Sequence, residues 1–260
     1  MQINAGLKVG LITANYNNGK YFKEYWGGIL CQTTKPDYVV FCDDCSNDDS
    51  VNHVLAYFGN KAVTTIDENT IQIVDQGIKF VLIRRKVNGG PGTARNDCLR
   101  FLHNKVDIIG VYDSDDIYYK GKVEESVKVF KKYGQVGLVY SDYEVLKQST
   151  QVKGREYKEI FSQLKLQQEC IVSNNSFFLL KLAEKVGLYD EDPEVRGPED
   201  FQLWLLLSTI SAVYHIAKSL YAYRVHDTNL TVATSHEILN KRHYKMRQNL
   251  QQRIEAMKNV

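Results

Sequence analysis

Between Leu7 and Gly134 the chain alternates, four times over, a short apolar run with a segment of helical spacing. The runs are "LKVGLITA", "DYVVFCD", "IKFVLIRR" and "VDIIGVYD", and the helical segments are "GKYFKEYWGGILCQT", "NDDSVNHVLAYFG", "PGTARNDCLRFLHN" and "KGKVEESVKVFKKYG". Few folds accept this order. A strand that feeds a helix returns to a parallel neighbour, so the alternation predicts an α/β chain: a mostly parallel sheet with helices on both faces. Near-continuous Val and Ile fit strands covered on both sides, and Pro91 suits the first turn of its helix. In such sheets ligands bind beyond the carboxyl ends of the strands. Polar clusters fall at all four ends: "NYNNG", "DDCSNDD", "NGGPG" and "DSDD". Each alone is ordinary turn chemistry, but four on one edge exceed what turns require.

The last cluster places Asp113, Asp115 and Asp116 within four residues of one another. Close carboxylates raise one another's pKa unless a positive charge joins them. A hard divalent cation, Mg²⁺ or Mn²⁺, would relieve the crowding and complete its shell with water and substrate phosphates. The plain alternative is a turn in which Asp116 caps the next helix.

With 260 residues, 43% of them hydrophobic, the chain suits one large domain or a domain with a subdomain. A net charge of +2 gives no global field, so no nucleic-acid partner is expected. No basic start followed by a long apolar run is present, so no leader is expected. The longest apolar-rich stretch, Phe201 to Ala217, contains Gln202, Ser208, Thr209, Ser211 and His215. It reads as a buried helix leading into a strand, not a membrane span. Five widely spaced cysteines fit a reducing, cytoplasmic location. Cys42 and Cys45 form a lone C-x-x-C, read as two small residues at a strand end.

The segment "NKAVTTIDENTIQIVDQG", within 60–78, reads as a hairpin or extended excursion. Beyond it the pattern is less regular: "VGLVYSDYEVL", "VSNNSFFLLK" and "SLYAYRVH" look like strands, and "GPEDFQLWLLLSTI" starts a helix with acidic residues where its dipole favours them. The last segment, 236–260, is a helix with six Lys or Arg against two Glu. Two readings stay open for it. It contacts an anionic membrane surface, or its residues Ile238, Leu239, Tyr244, Met246, Leu250, Ile254 and Met257 pack on the domain or on a second copy in a homo-oligomer. Packing is favoured.

Taken in order, the segment from "VGLITANYNNG" to "CDDCSNDDS", then "NGGPGTARN", "DSDD", "GLYDEDPEVRGPEDFQLWLLL" and "YRVH" resemble the family 2 glycosyltransferases, which have the GT-A fold. The resemblance runs from about Lys8 to Thr231. It implies a Rossmann-like domain over 1–235, with a nucleotide-binding half at 1–118, a less regular acceptor-binding half at 119–235 and the basic helix after it. It also implies transfer of a sugar, with inversion, from a nucleotide diphosphate sugar (most often a UDP-sugar) to a glycan, lipid-linked or protein hydroxyl. On this resemblance Ala14 and Tyr16 would touch the base, and Ala14 stands where the family more often has Pro. Asp44 would contact uracil or ribose, and Arg95 would lie near the nucleotide. Asp113 would hold ribose or metal-bound water. Asp115 and His226 would meet Mn²⁺ or Mg²⁺. Asp200 would be the catalytic base, with Glu199 beside it in the substrate site. A sugar nucleotidyltransferase is a second reading, weakened because Lys20 is the only cation in the first loop. A non-catalytic nucleotide- or glycan-binding protein of the same fold is a third.

Overall fold

The structure, a computed structural model, describes residues 6–147, 152–230 and 234–258. The termini of the expected domain and helix, and Thr231, lie outside these residues. Four strands form a parallel centre: β1 (Val9–Asn15), β2 (Tyr38–Asp43), β5 (Ile78–Arg84) and β6 (Ile108–Val111). The excursion is the hairpin of β3 (Val63–Thr65) and β4 (Thr70–Asp75), added antiparallel to β5. Further along come β7 (Ile117–Tyr118), β8 (Val136–Lys147), β9 (Val152–Glu156), β10 (Phe177–Leu179) and β11 (Ala212–Val225). The sheet order is β3-β4-β5-β2-β1-β6-β10-β8-β11-β7, with β9 on β8. Parallel pairing is confined to β5-β2-β1-β6 and to β8-β11; β10 runs antiparallel to both its neighbours.

The register explains where the polar clusters meet. Asn15 lies opposite Asp43, and Asp43 opposite Arg84, so three strands end level. The last residue of β6, Val111, pairs with Ile12, so this strand stops three residues earlier than β1. The "DSDD" turn therefore sits beside the end of β1 rather than beyond it.

The connecting helices are α1 (Phe22–Leu30), α2 (Ser50–Phe58), α3 (Pro91–Leu102) and α4 (Lys122–Lys132), then α5 (Gln163–Gln168), α6 (Leu180–Lys185), α7 (Glu199–Ile210) and α8 (His236–Lys258). Successive strand residues point to opposite faces. Leu11 and Val39 pack with Phe22, Trp26 and Val127, whereas Ile12 and Val40 pack with Leu99, Trp204 and Met246. Helix α7 is buried from Glu199 to Leu207 because the sheet, α6 and α8 cover it. Met246 of α8 is fully buried, and Leu250, Ile254 and Met257 pack on the same core. Arg253 ties α8 down further by donating to Gln202 Oε1 at 2.7 Å and to the carbonyls of Val186 and Leu188. Ile238 and Tyr244 remain exposed. No helix among the described residues is long and apolar enough to cross a membrane. Cys42 is buried at the end of β2, Cys45 follows it half-buried, and both are free thiols.

Candidate active site

The ends of β1, β2, β5 and β6 and the loop before α7 enclose a cleft of about 420 Å³, within the range of small-molecule sites. Ala14, Tyr16, Asp44, Arg95, Asp113, Asp115, Glu199 and Asp200 all line it.

An asparagine shapes the aspartate turn. Asn175, just before β10, accepts from the Asp113 amide at 3.0 Å and donates to Asp116 Oδ2 at 2.5 Å. Asp116 Oδ1 accepts from the Arg224 amide on β11 at 2.8 Å. Burial first, then the charges of Asp115 and Asp113, push the Asp116 carboxyl far above the carboxylate range. Asp116 is thus a buried tie between the turn and β11. It does not cap α4, whose N-cap is Gly121. This corrects the helix-cap alternative: β11 captures the side chain before α4 begins.

The other two aspartates face the cleft. Asp115 Oδ2 lies 2.8 Å from His226 Nε2 and accepts from Asn229 Nδ2 at 3.1 Å. His226 Nδ1 stands 2.8 Å from Thr228 Oγ1, which fixes the ring, and the Asn229 side chain accepts from the His226 amide. An oriented imidazole beside a carboxylate is a donor pair that suits Mn²⁺ and is acceptable to Mg²⁺. Among the described residues no group of three or more His, Cys, Asp or Glu is arranged to hold an ion. Asp115 and His226 would supply only two ligands, so an ion held there would complete its shell with water and phosphates.

Arg95, on the second turn of α3, is buried among three acids. Nη2 donates to Asp113 Oδ1 at 2.8 Å, and Nη1 donates to Glu199 Oε1 and Asp200 Oδ1, each at 3.1 Å. Burial opposes its charge, but Asp200 and Asp113 hold it firmly cationic. The two acids on α7 differ in what remains free. Glu199 Oε2 accepts from the Gly197 amide at 2.5 Å, so both its oxygens are engaged. Asp200 is bound through Oδ1, and no hydrogen bond reaches Oδ2 among the described residues. Burial pushes the Asp200 carboxyl up to about 8; Arg95 opposes the rise, while Glu199 and Asp113 add to it. A carboxylate held at one oxygen and free at the other can take a proton at the cleft wall.

On the opposite wall Asp44 accepts from the amides of Gly89 and Gly90 at 2.9 and 2.7 Å and pairs with Arg85 Nε at 2.9 Å. Burial raises its pKa against these donors. It therefore fixes the "NGG" loop as well as facing the cleft. Gly90 adopts φ +88°, a conformation that favours glycine, and starts α3.

Sequence reasoning left Asn175, Asn229 and Asn96 without roles. Asn96 pairs with both backbone groups of Tyr189 at 3.0 Å and donates to Glu191 at 2.7 Å, pinning the loop that leads to Asp200. An Asn at a strand or helix end looks like turn chemistry, so only "NN" at 174–175 and "DTN" at 227–229 hinted at the first two.

Comparison with known proteins bears on the family and the fold. The family model described as "Glycosyl transferase family 2" matches residues 11–187. An uncharacterized glycosyltransferase of Rickettsia typhi is 26% identical over 233 residues, covering 86% of this chain and 65% of that protein. The chondroitin synthase of Escherichia coli is 23% identical over 239 residues, covering 92% of this chain and 32% of that enzyme. This chain thus spans less than two thirds of either relative. Among solved structures, Staphylococcus aureus TarS 1–349 in complex with UDP-GlcNAc superposes with a TM-score of 0.67 at 17% identity, over 88% of this chain and 62% of that one. The mannosyltransferase PcManGT of Pyrobaculum calidifontis, in complex with GDP-Man and Mn²⁺, gives 0.61 at 16% identity, over 87% and 59%. These two likenesses concern the fold. With the family model covering most of the chain and the aspartate turn, Arg95 and the acids of α7 gathered in one cleft, the chain belongs to glycosyl transferase family 2.

Proposed function

We propose that the chain transfers a sugar from a nucleotide diphosphate sugar, a UDP-sugar in the first instance, to a hydroxyl acceptor with inversion. The observation that carries this reading is the disposition of Arg95. It joins Asp113, on the donor side, to Asp200, whose second oxygen stays free at the cleft wall. Relatives and structural neighbours named for nucleotide sugars and glycan synthesis support it.

In the proposed reaction Ala14, Tyr16 and Asp44 receive the nucleoside, and Asp113 orients the ribose or metal-bound water. Asp115 and His226 would hold Mn²⁺ or Mg²⁺, which when bound neutralises charge developing on the leaving diphosphate. As the acceptor oxygen attacks the anomeric carbon, Asp200 Oδ2 takes its proton and the nucleoside diphosphate departs on the opposite face. The reacting sugar passes through an oxocarbenium-like state. Glu199 serves as a brace, because both its oxygens are occupied.

Two variants separate the roles. Asp200→Asn is expected to lower turnover about 10²-fold or more, as for loss of a general base, with donor affinity nearly unchanged. Asp115→Asn is expected to weaken metal-dependent donor binding itself. Steady-state kinetics and calorimetry with UDP and Mn²⁺ read the two effects. Near-normal turnover of Asp200→Asn would remove it as the base.

A further inference from the structure

Three acids of the cleft hold Arg95 through Nη1 and Nη2, although its buried Nε has no hydrogen-bond partner, and two other guanidiniums beside the base loop carry no ion pair among the described residues. Arg196 lines the cleft, half-buried, and no hydrogen bond or ion pair engages it, although its charge reaches Asp44. A Cβ placed at Gly90 would lie 2.5 Å from Arg196 Nε, so the side chain lies flat over the start of α3. Arg242 comes from α8. Its Nη1 is buried without a hydrogen-bond partner and would stand 4.0 Å from a Cβ at Gly197. Leu239, one turn earlier on the same helix, lines the cleft and touches that same position. The contrast within α8 is marked: Lys241 pairs with Glu237, Lys245 with Asp192 and Glu194, Arg247 with the Gln167 carbonyl, and Arg253 with Gln202.

Two guanidiniums thus meet the short segment Arg196-Gly197-Pro198 that delivers Glu199 and Asp200. A buried guanidinium N–H left unpaired is costly, and the guanidinium fork matches carboxylate and phosphate oxygens in pairs. In the reading above the donor diphosphate belongs with Asp115 and His226, whereas Arg196 lines the same cleft four residues before Asp200, on the segment that delivers the acceptor-side base.

We infer that Arg196 and Arg242 form an anion-binding subsite for the acceptor, so that the hydroxyl glycosylated here belongs to a molecule bearing a carboxylate or phosphate close by. This subsite rests on Asp200 being the acceptor-side base. It also gives α8 a part in substrate choice, beyond packing.

The test uses the full chain, free and saturated with UDP and Mg²⁺, titrated with methyl β-glucuronide, glycerol phosphate and the neutral methyl β-glucoside, followed by NMR. The charged probes are expected to bind about tenfold tighter than the neutral one, with UDP present as well as absent. Arg196→Gln and Arg242→Gln should each lose about fivefold or more of that preference, and Arg242→Lys should recover part of it. Lys241→Gln removes a cation from the same helix and should change nothing beyond twofold. Equal binding of charged and neutral probes, or an unchanged preference in Arg242→Gln, overturns the proposal. So does displacement of the anions by UDP, which would assign both guanidiniums to the donor diphosphate. Failure of the transferase reading would look different: UDP would not bind with the metal, while titration of the free chain would still decide the anion subsite.

Discussion

Arg95 brings one positive charge to Asp113, Glu199 and Asp200; Arg95 and Glu199 are buried, while Asp200 and Asp113 keep 12% and 16% of their side chains exposed to the cleft. One cation cannot neutralise three anions, and burial decides how the excess acts on the two acids of α7. Glu199 has an amide on its second oxygen; Asp200 does not. Its carboxyl is pushed up to about 8, by burial first and by its acidic neighbours after it. Folding raises this pKa above the ordinary value near 3.9, so between about 4 and about 8 the folded chain keeps a proton that the unfolded chain has released. The contribution of Asp200 to stability falls as pH rises through that window. Activity runs the other way, because a base must be deprotonated to act. The pH profile of kcat/KM, which reports the free protein, is expected to rise with a slope near one from pH 6 and level off above about 8. A flat profile across pH 6–8 would show that another group accepts the proton. The resemblance pointed to Asp200 in "PED" at a helix start; that Glu199 has both oxygens engaged and Asp200 only one rests on hydrogen-bond partners that no spacing displays.

Helix α3 joins the two walls of the cleft. Gly90 and Pro91 set its start against Asp44, Arg95 points inward on its second turn, and Asn96 holds the base loop. Gly92 lets that loop come close: a Cβ there would lie 2.7 Å from the Asp190 carbonyl. Period and punctuation made this helix legible in "NGGPGTARNDCLRFLHN". The partner of Asn96 was not legible, because Tyr189 lies 93 residues away and nothing local marks the contact. Asn175 was hidden for the same reason; β10 enters the sheet antiparallel between β6 and β8, an order the alternating first half does not foretell. Asn96→Ala leaves both backbone groups of Tyr189 buried and unpaired, at a cost of about 1–3 kcal/mol for each such group. Denaturant unfolding is expected to show a loss of about 2–6 kcal/mol for the two groups together. Turnover should fall while the Kd for UDP with Mn²⁺ holds, since the base loop loosens and the nucleotide wall does not. Equal loss of UDP affinity would mean that α3 transmits the damage to both walls.

The net charge of +2 describes the whole surface and conceals a cleft lined by Asp44, Asp113, Asp115, Glu199 and Asp200. Against these stand Arg95, already engaged by three acids, and Arg196. A diphosphate entering alone would meet mostly negative charge, and desolvation in a cleft strengthens that repulsion. In the proposed reading Asp115 and His226, which lie 2.8 Å apart, would hold a divalent ion carrying those phosphates. Donor and cation should therefore bind as one ligand, and the folded chain should be stabilised only by both together. At a hundredfold excess over Kd, binding adds about 2.7 kcal/mol to stability, which for a chain of this size is a rise in Tm of about 5–10 °C. Thermal unfolding with UDP and Mn²⁺ is expected to show that shift, with less than a quarter of it for UDP in EDTA or for Mn²⁺ alone. His226→Ala should weaken the joint shift while leaving the fold intact, since the ring's hydrogen-bond and aromatic partners among the described residues are Asp115, Thr228, Asn229 and Tyr21, all at the cleft or its rim. A full shift with UDP in EDTA would mean that protein cations hold the diphosphate, and Arg196, the guanidinium in the cleft without an ion pair among the described residues, would be the first to substitute.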